Sequence, residues 1–326
     1  MPRPDAPAST FQQQFHARWN HLTDPHVRTL AWLLDAPDLL DAQASPWHGR
    51  IVSLGAMTPD TEEWLCALDH APAGLHAYLD LHPFTRLGRY AEKLMAYYLE
   101  HQGLLVAHGV QVHGAKGETI GEFDFLVRQG EALVHWEFVT KLYLLESSGQ
   151  GRHADYFVGP NLADTLGAKI RKIMDRQLSL SQHPAARTHL PQPIAHAQAL
   201  VKGWLFYHGQ TPRELPQGIA SAHCFGFWCA LEELAGIPGE HYLMLSRLSW
   251  LAPARAGQGQ VVGRHQLEDR LTRHFQEGGA PVLVAVMAPE GQEMLEVDRG
   301  FIVPDDWRSR AETRVGGSDQ NGRDSD

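Results

Sequence analysis

Between Phe11 and His82 apolar residues recur at helical spacing. HVRTLAWLL, for example, sets Val27, Leu30, Leu33 and Leu34 on one side of a helix. TPDTEEWLCAL adds a start signal, with Thr58 as N-cap and Pro59 at the first helical position. From Arg86 the pattern changes. RLGRYAEKLMAYYLEHQG predicts an amphipathic helix over 86–101 that ends near Gly103. LLVAHGVQV predicts a short strand. Residues 121–145, GEFDFLVRQGEALVHWEFVTKLYLL, predict two more, joined by a turn at Gln129-Gly130. GPNLADTLGAKIRKIMDRQLSL (159–180) reads as a second amphipathic helix and AQALVKGWLFY (197–207) as a strand. A three-stranded meander, a crossover helix and a returning strand predict a mixed sheet with helices on its faces. Farther on, HYLMLSRLSWL and PVLVAVM are strand-like. QLEDRLTRHF between them is an amphipathic helix with Leu267, Leu271 and Phe275 on one face.

The expected fold class is therefore α/β (α+β). Its divisions are a disordered segment over 1–9, a helical region over 10–85, a mixed-sheet core over 86–207 and a C-terminal α/β extension over 208–308. The extension either continues the sheet or forms a small second lobe. The polar, Gly/Asp/Arg-rich tail over 309–326, AETRVGGSDQNGRDSD from Ala311 on, is expected to be disordered.

Composition alters this picture only a little. With 43% hydrophobic and 20% charged residues the chain is globular. No window approaches the ~18 uninterrupted apolar residues of a membrane span, and MPRPDAPAST lacks the apolar run of a signal peptide. A cytoplasmic protein with no membrane partner is the expectation. Cys66, Cys224 and Cys229 read as reduced thiols, those of HCFGFWC as core residues among aromatics. A net charge of −10 weighs against indiscriminate binding to nucleic acid. Residues 86–176, however, carry equal numbers of acidic and basic side chains, and KIRKIMDR (169–176) is a basic helix face.

The candidate chemistry lies in charged residues inside apolar strands, where burial is costly unless they are paired or bind an ion. Alternation sets Leu133, His135, Glu137, Val139, Lys141 and Tyr143 on one face and Val134, Trp136, Phe138, Thr140, Leu142 and Leu144 on the other. Both faces are largely apolar, so the strand is covered on both sides. A hairpin that pairs 128 with either 131 or 133 sets Asp124 on the face of Glu137. Two carboxylates that close repel each other, and a hard divalent cation resolves the repulsion. Glu92, at the margin of its helix's buried face, would complete the group, the alternative being an ordinary surface glutamate. Lys141 supplies a positive charge near a bound phosphate. Gln177, on an apolar helix stripe, needs a hydrogen-bond partner, with Lys169 at the margin of the same face. Lys169, Lys172, Gln177 and His135 are the further candidates, for substrate contact or for supporting the ligands.

The order helix–E–strand–GE[FI]D–turn–strand–E…K–helix–strand resembles the core of the PD-(D/E)XK nuclease superfamily, over about residues 86–207. GEFDFLVRQGEALVHWEF in particular is similar to the paired strands of its small resolvase-type members. RLGRYAEKL, HWEFVTKLYL and FVGPNLADTLGAKIRKIMDRQLSLS resemble an uncharacterised bacterial family, domain of unknown function 1853, over most of the chain. The nuclease resemblance implies a restriction-endonuclease-like sheet and a metal-dependent nuclease whose metal-activated water cleaves a phosphodiester of DNA or RNA. Glu92, Asp124 and Glu137 would hold Mg²⁺ or Mn²⁺, with Glu92 as the helix carboxylate and Asp124 as the central ligand. Lys141 would be the motif lysine. The usual E-x-K is E-x-x-x-K here, with Val139 in the lysine slot. Parity keeps Lys141 on the same face, about 7 Å farther along. A catalytically inactive nuclease-fold protein serving as a nucleic-acid-binding or assembly module is the alternative. A purely structural Glu137–Lys141 ion pair, with Asp124 capping a turn, is the third reading. Metal binding separates the first reading from the third, and cleavage separates it from the second.

Overall fold

The N-terminal helices form where the capping signals stand. Thr10 and Gln13 close a reciprocal cap on α1 (Phe11–Trp19). Asp24 accepts from the His26 and Val27 amides at the start of α2 (Pro25–Asp35). Thr58 caps α3 (Pro59–His70), as the sequence predicts. α4 (Ala73–Leu79) and α5 (Leu87–His101) follow, and α5 stops before Gly103, which adopts φ +67°. The computed structural model describes residues 10–79, 86–146, 153–209 and 214–323. The disorder expected of residues 1–9 lies outside them.

The strands are β1 (Leu105–His113), β2 (Thr119–Gln129), β3 (Ala132–Leu145) and the two-residue β4 (Phe157–Val158). After α6 (Leu166–Lys172) come β5 (Ile194–Tyr207), β6 (Cys224–Ala230), β7 (His241–Met244) and β8 (Arg255–Gly257). After α7 (Arg264–Gln276) come β9 (Val282–Glu290) and β10 (Glu293–Val303), then α8 (Trp307–Arg323). Among the described residues they build one ten-stranded mixed sheet in the order β1-β2-β3-β5-β6-β10-β9-β7, with β4 on β3 and β8 on β10. β1, β2 and β3 run antiparallel as a meander. β3, β5, β6 and β10 are parallel neighbours, and α6 lies in the connection between β3 and β5. The mixed sheet flanked by helices agrees with the sequence reading, and the C-terminal strands extend it.

One face is covered by α1, α2 and α5. Trp32 stacks on Trp204 of β5 at 6.2 Å, and Leu94 and Leu99 share a buried cluster with Val134, Trp136 and Phe138 of β3. The other face is covered in three places, one of them where Leu180 and Ala186 lie over Val112, Phe123, Leu126 and Leu133. Leu166, Ile170 and Ile173 lie over Val139, Tyr143, Val201 and Leu205, and Leu267 and Leu271 of α7 lie over Tyr242, Val284 and Val286. The N-terminal helices thus share the core of the sheet. His16 Nε2 bonds the Glu296 carbonyl at 3.1 Å, and Arg28 donates to the Pro253 carbonyl at 3.1 Å.

Several elements depart from the sequence reading. The helix expected over 159–180 is short, running from Leu166 to Lys172, and passes into a π-helical turn over Ile173–Gln177. HYLMLSRLSWL is a strand only to Met244. β10 forms where no strand was expected, because Glu296 and Arg299 break its apolar run. Both are fully buried and satisfy each other, with Arg299 Nε donating to Glu296 Oε1 at 2.5 Å. The tail expected to be disordered is helical to Arg323, and Trp307, Ala311 and Val315 are buried. No helix among the described residues is long and apolar enough to cross a membrane.

Candidate metal centre and cleft

The β2–β3 hairpin sets the geometry. Gln129 pairs with Ala132 and Arg128 with Leu133, so Gly130 (φ +59°) and Glu131 form the loop and Asp124 falls opposite Glu137. The ladder itself stops at Phe125–Trp136. Beyond it the Phe138 amide donates to Asp124 Oδ2 at 3.0 Å, so the Asp124 side chain takes the place of a ladder carbonyl. β2 also turns by one position here. Phe125 and Val127 pack with α5, whereas Phe123 and Leu126 share the cluster of Leu133 on the opposite face. Strict alternation would keep Phe123 with Phe125.

This turn lets carboxylates from different elements meet. Ligand oxygens of Glu92 on α5, Glu122 on β2 and Asp124 lie within 4.8 Å of one another. Arg89, one helical turn before Glu92, donates Nη1 to Glu122 Oε1 at 3.0 Å and to Glu92 Oε1 at 3.2 Å. The sequence reading brought Glu92, Asp124 and Glu137 together and left out Glu122. The signal for Glu122 was its place two residues before Asp124 in the same strand.

Lys141 does not join the group. Its Nζ donates to Asp164 Oδ2 at 2.8 Å, and the Tyr143 hydroxyl donates to the same oxygen at 3.3 Å. The lysine beside Glu137 is Lys169, whose Nζ lies 4.0 Å from Glu137 Oε1 and donates to Gln177 Oε1 at 2.9 Å. Gln177 Nε2 donates in turn to Glu137 Oε1. Thr165 caps α6, accepting from the Ala168 amide, and the wider π turn then carries Gln177 round to face β3. Lys172 lines the cleft without an ion pair to another described residue. His135 stands apart from this network. It is fully buried against Phe123 at 4.8 Å with both ring nitrogens unbonded among the described residues, and burial holds its pKa down at about 4.

Glu92, Glu122, Asp124, Lys169 and Gln177 line a cleft of about 850 Å³, with Glu137 buried behind them. Arg86 and Arg89 stand on one wall and Lys169, Lys172 and Arg176 on another, and Asn161, Asp164, Arg247 and Trp250 close it. The family model described as "Domain of unknown function (DUF1853)" matches residues 28–303. The chain belongs to that family. No curated protein and no solved structure matches it.

In this family member the surroundings of Glu92, Asp124 and Glu137 favour their neutral forms. Burial, then Asp124, pushes the Glu92 carboxyl up to about 7, partly offset by Arg89. Burial raises Asp124 as well, against the pull of the Phe138 amide. Glu137, 2% exposed, is pushed up to about 9 by burial and then by Asp124. Its carboxyl is in hydrogen-bonding contact with that of Asp124, so near neutral pH the pair keeps a proton. Burial lowers the Lys169 ammonium, and Glu137 partly restores it. Glu137 Oε2 is buried with no donor among the described residues. An unpaired buried carboxylate oxygen needs a proton or a cation. A donor set made of hard oxygens suits Mg²⁺ or Mn²⁺ rather than a soft metal.

Proposed function

We propose that the cleft is the active site of a metal-dependent nuclease with a restriction-endonuclease-like core. The observation that carries this reading is the convergence of Glu92, Glu122 and Asp124 within 4.8 Å, with Glu137 against Asp124 and Lys169 beside Glu137. Asp124 and Glu137, with Glu92 or Glu122, would hold Mg²⁺ or Mn²⁺. The ion would lower the pKa of its bound water and polarise a phosphodiester oxygen. Lys169 takes the part the sequence reading gave to Lys141. Its ammonium, held by Gln177 and next to Glu137, would offset negative charge gathering on the phosphorus oxygens. The unassigned cations of Arg86, Lys172 and Arg176 favour a polyanionic substrate. Titration with Mg²⁺ and Mn²⁺, wild type against Asp124→Asn, followed by incubation with DNA and RNA substrates, tests the reading. Metal-dependent cleavage that disappears in the variant is expected. No binding at millimolar concentrations of either ion overturns it.

A second reading rests on Arg89. Its guanidinium bonds Glu92 and Glu122 at once and so neutralises part of the cluster without a metal. On that reading the same cleft binds nucleic acid or a partner without cleaving.

A further inference from the structure

Trp250 and Arg247 line the cleft that holds Glu92 and Asp124, yet the chemistry proposed above does not use them. Trp250 is anchored from behind. Its indole N–H donates to the Leu245 carbonyl at 3.1 Å, and Phe301, fully buried, meets the ring edge-on at 5.1 Å. Its own carbonyl accepts from Arg299 Nη1 at 2.5 Å. The polar needs of this residue are thus met inside the protein, and a rigid aromatic surface faces the cleft. The Arg247 guanidinium lies over that ring, 5.2 Å from its centroid, and is exposed. It forms no ion pair with another described residue. An anchored indole under an exposed planar cation is a surface on which a nucleobase stacks.

We propose that Trp250 and Arg247 form a stacking subsite for an unpaired nucleobase, so that the polymer entering the cleft is single-stranded nucleic acid. This rests on the nuclease reading and names its substrate class. Bases within a duplex are already stacked on their neighbours and cannot offer a face to a ring, whereas every base of a single strand can. The size of the cleft agrees. At about 850 Å³ it lies in the range of roughly 300–1,000 Å³ that encloses a drug-sized molecule, room for a short run of single strand. Arg86 and Lys172 line the same cleft without ion pairs among the described residues, and supply cations for backbone phosphates.

The test is fluorescence anisotropy of the full chain with labelled oligothymidylate, oligouridylate and a duplex of the same length, in EDTA and in Mg²⁺. A single strand of one or both sugars is expected to bind at least about tenfold tighter than the duplex. Trp250→Ala and Arg247→Ala are each expected to weaken single-strand binding by about tenfold or more, and Trp250→Phe to retain most of it. Arg247 is exposed, so its variant decides the matter if Trp250→Ala fails to fold. Equal or tighter duplex binding overturns the subsite, as does Arg247→Ala binding single strands like wild type. Because binding in EDTA is read without cleavage, the two claims fail separately. Retained strand preference without metal-dependent cleavage overturns the nuclease reading alone, and duplex cleavage without strand preference overturns the subsite alone.

Discussion

Lys169 Nζ lies 4.0 Å from Glu137 Oε1, and the Gln177 amide is bonded to both side chains. A helix thus brings a half-buried ammonium to a strand carboxylate whose own strand carries a lysine four residues on. Lys141, the lysine within the strand, is committed to Asp164.

The two lysines should therefore separate cleanly in kinetics. Lys169→Met is expected to lower cleavage by about two orders of magnitude, the scale set by removing one donor to transition-state charge, with Mg²⁺ binding largely kept. Lys141→Ala is expected to retain most activity. Single-turnover rates on one labelled substrate decide it. The reverse ranking would return the catalytic role to Lys141.

Arg89 and a divalent ion compete for the same oxygens of Glu92 and Glu122. Arg89→Ala should tighten Mg²⁺ binding by about tenfold, between the about 1 kcal/mol of a fully solvated charge pair and the about 4 kcal/mol of a close pair near a protein surface, and lower stability when no metal is added. Calorimetric titration and a melting curve in EDTA check both. Unchanged or weaker metal affinity would mean that no ion sits at that pair.

Glu92 has its folded pKa raised to about 7, above the ordinary carboxylate value. Its contribution to stability is therefore fully present below about pH 4.5 and is lost as pH rises through about 7. Without metal, the wild type should lose stability over that window relative to Glu92→Gln, in which the group cannot ionise. Saturating Mg²⁺ should shrink the difference and release protons on binding. Parallel stability–pH curves for the two proteins in EDTA would refute the assignment.

Arg299 holds the segment behind Trp250. It bonds both oxygens of Glu296 and the carbonyls of Trp250 and Ala252, and lies over Trp204 at 4.2 Å from the ring centroid. Arg299→Met leaves Glu296 buried without its counter-charge and should cost about 3–5 kcal/mol in urea unfolding. A loss below about 1 kcal/mol would show that water reaches the pair.

Much of the site was legible in the sequence because alternation survives burial. The parity of Asp124 and Glu137 follows from any hairpin that pairs Arg128 with residue 131 or 133, and the helical phase of Glu92 follows from its apolar neighbours. Glu122 was passed over because regular alternation holds up to a bulge, and the turn of β2 near Asp124 leaves no mark on the pattern. Lys169 was seen as a marginal helix residue. Its approach to Glu137 depends on where α6 crosses the sheet and on a π turn, both tertiary facts. β10 was missed for a related reason, since Glu296 and Arg299 neutralise each other out of water and only the fold shows that they do. Trp250 sat in a run read as a strand, with nothing local to say that its ring faces a cleft.

The place of β10 in the sheet has a consequence for how the protein is made. β10 lies between β6 and β9, and α1 reaches across to it through His16 and the Glu296 carbonyl. When a ribosome has released residue 207, every carboxylate of the site has left the tunnel, while the Trp204–Tyr207 end of β5 has no β6 beside it. That end is a ready template for wrong pairing until residues up to about 303 arrive. Residues 86–207 expressed alone should therefore aggregate, and the nascent chain is a natural client for a chaperone at that stage of synthesis.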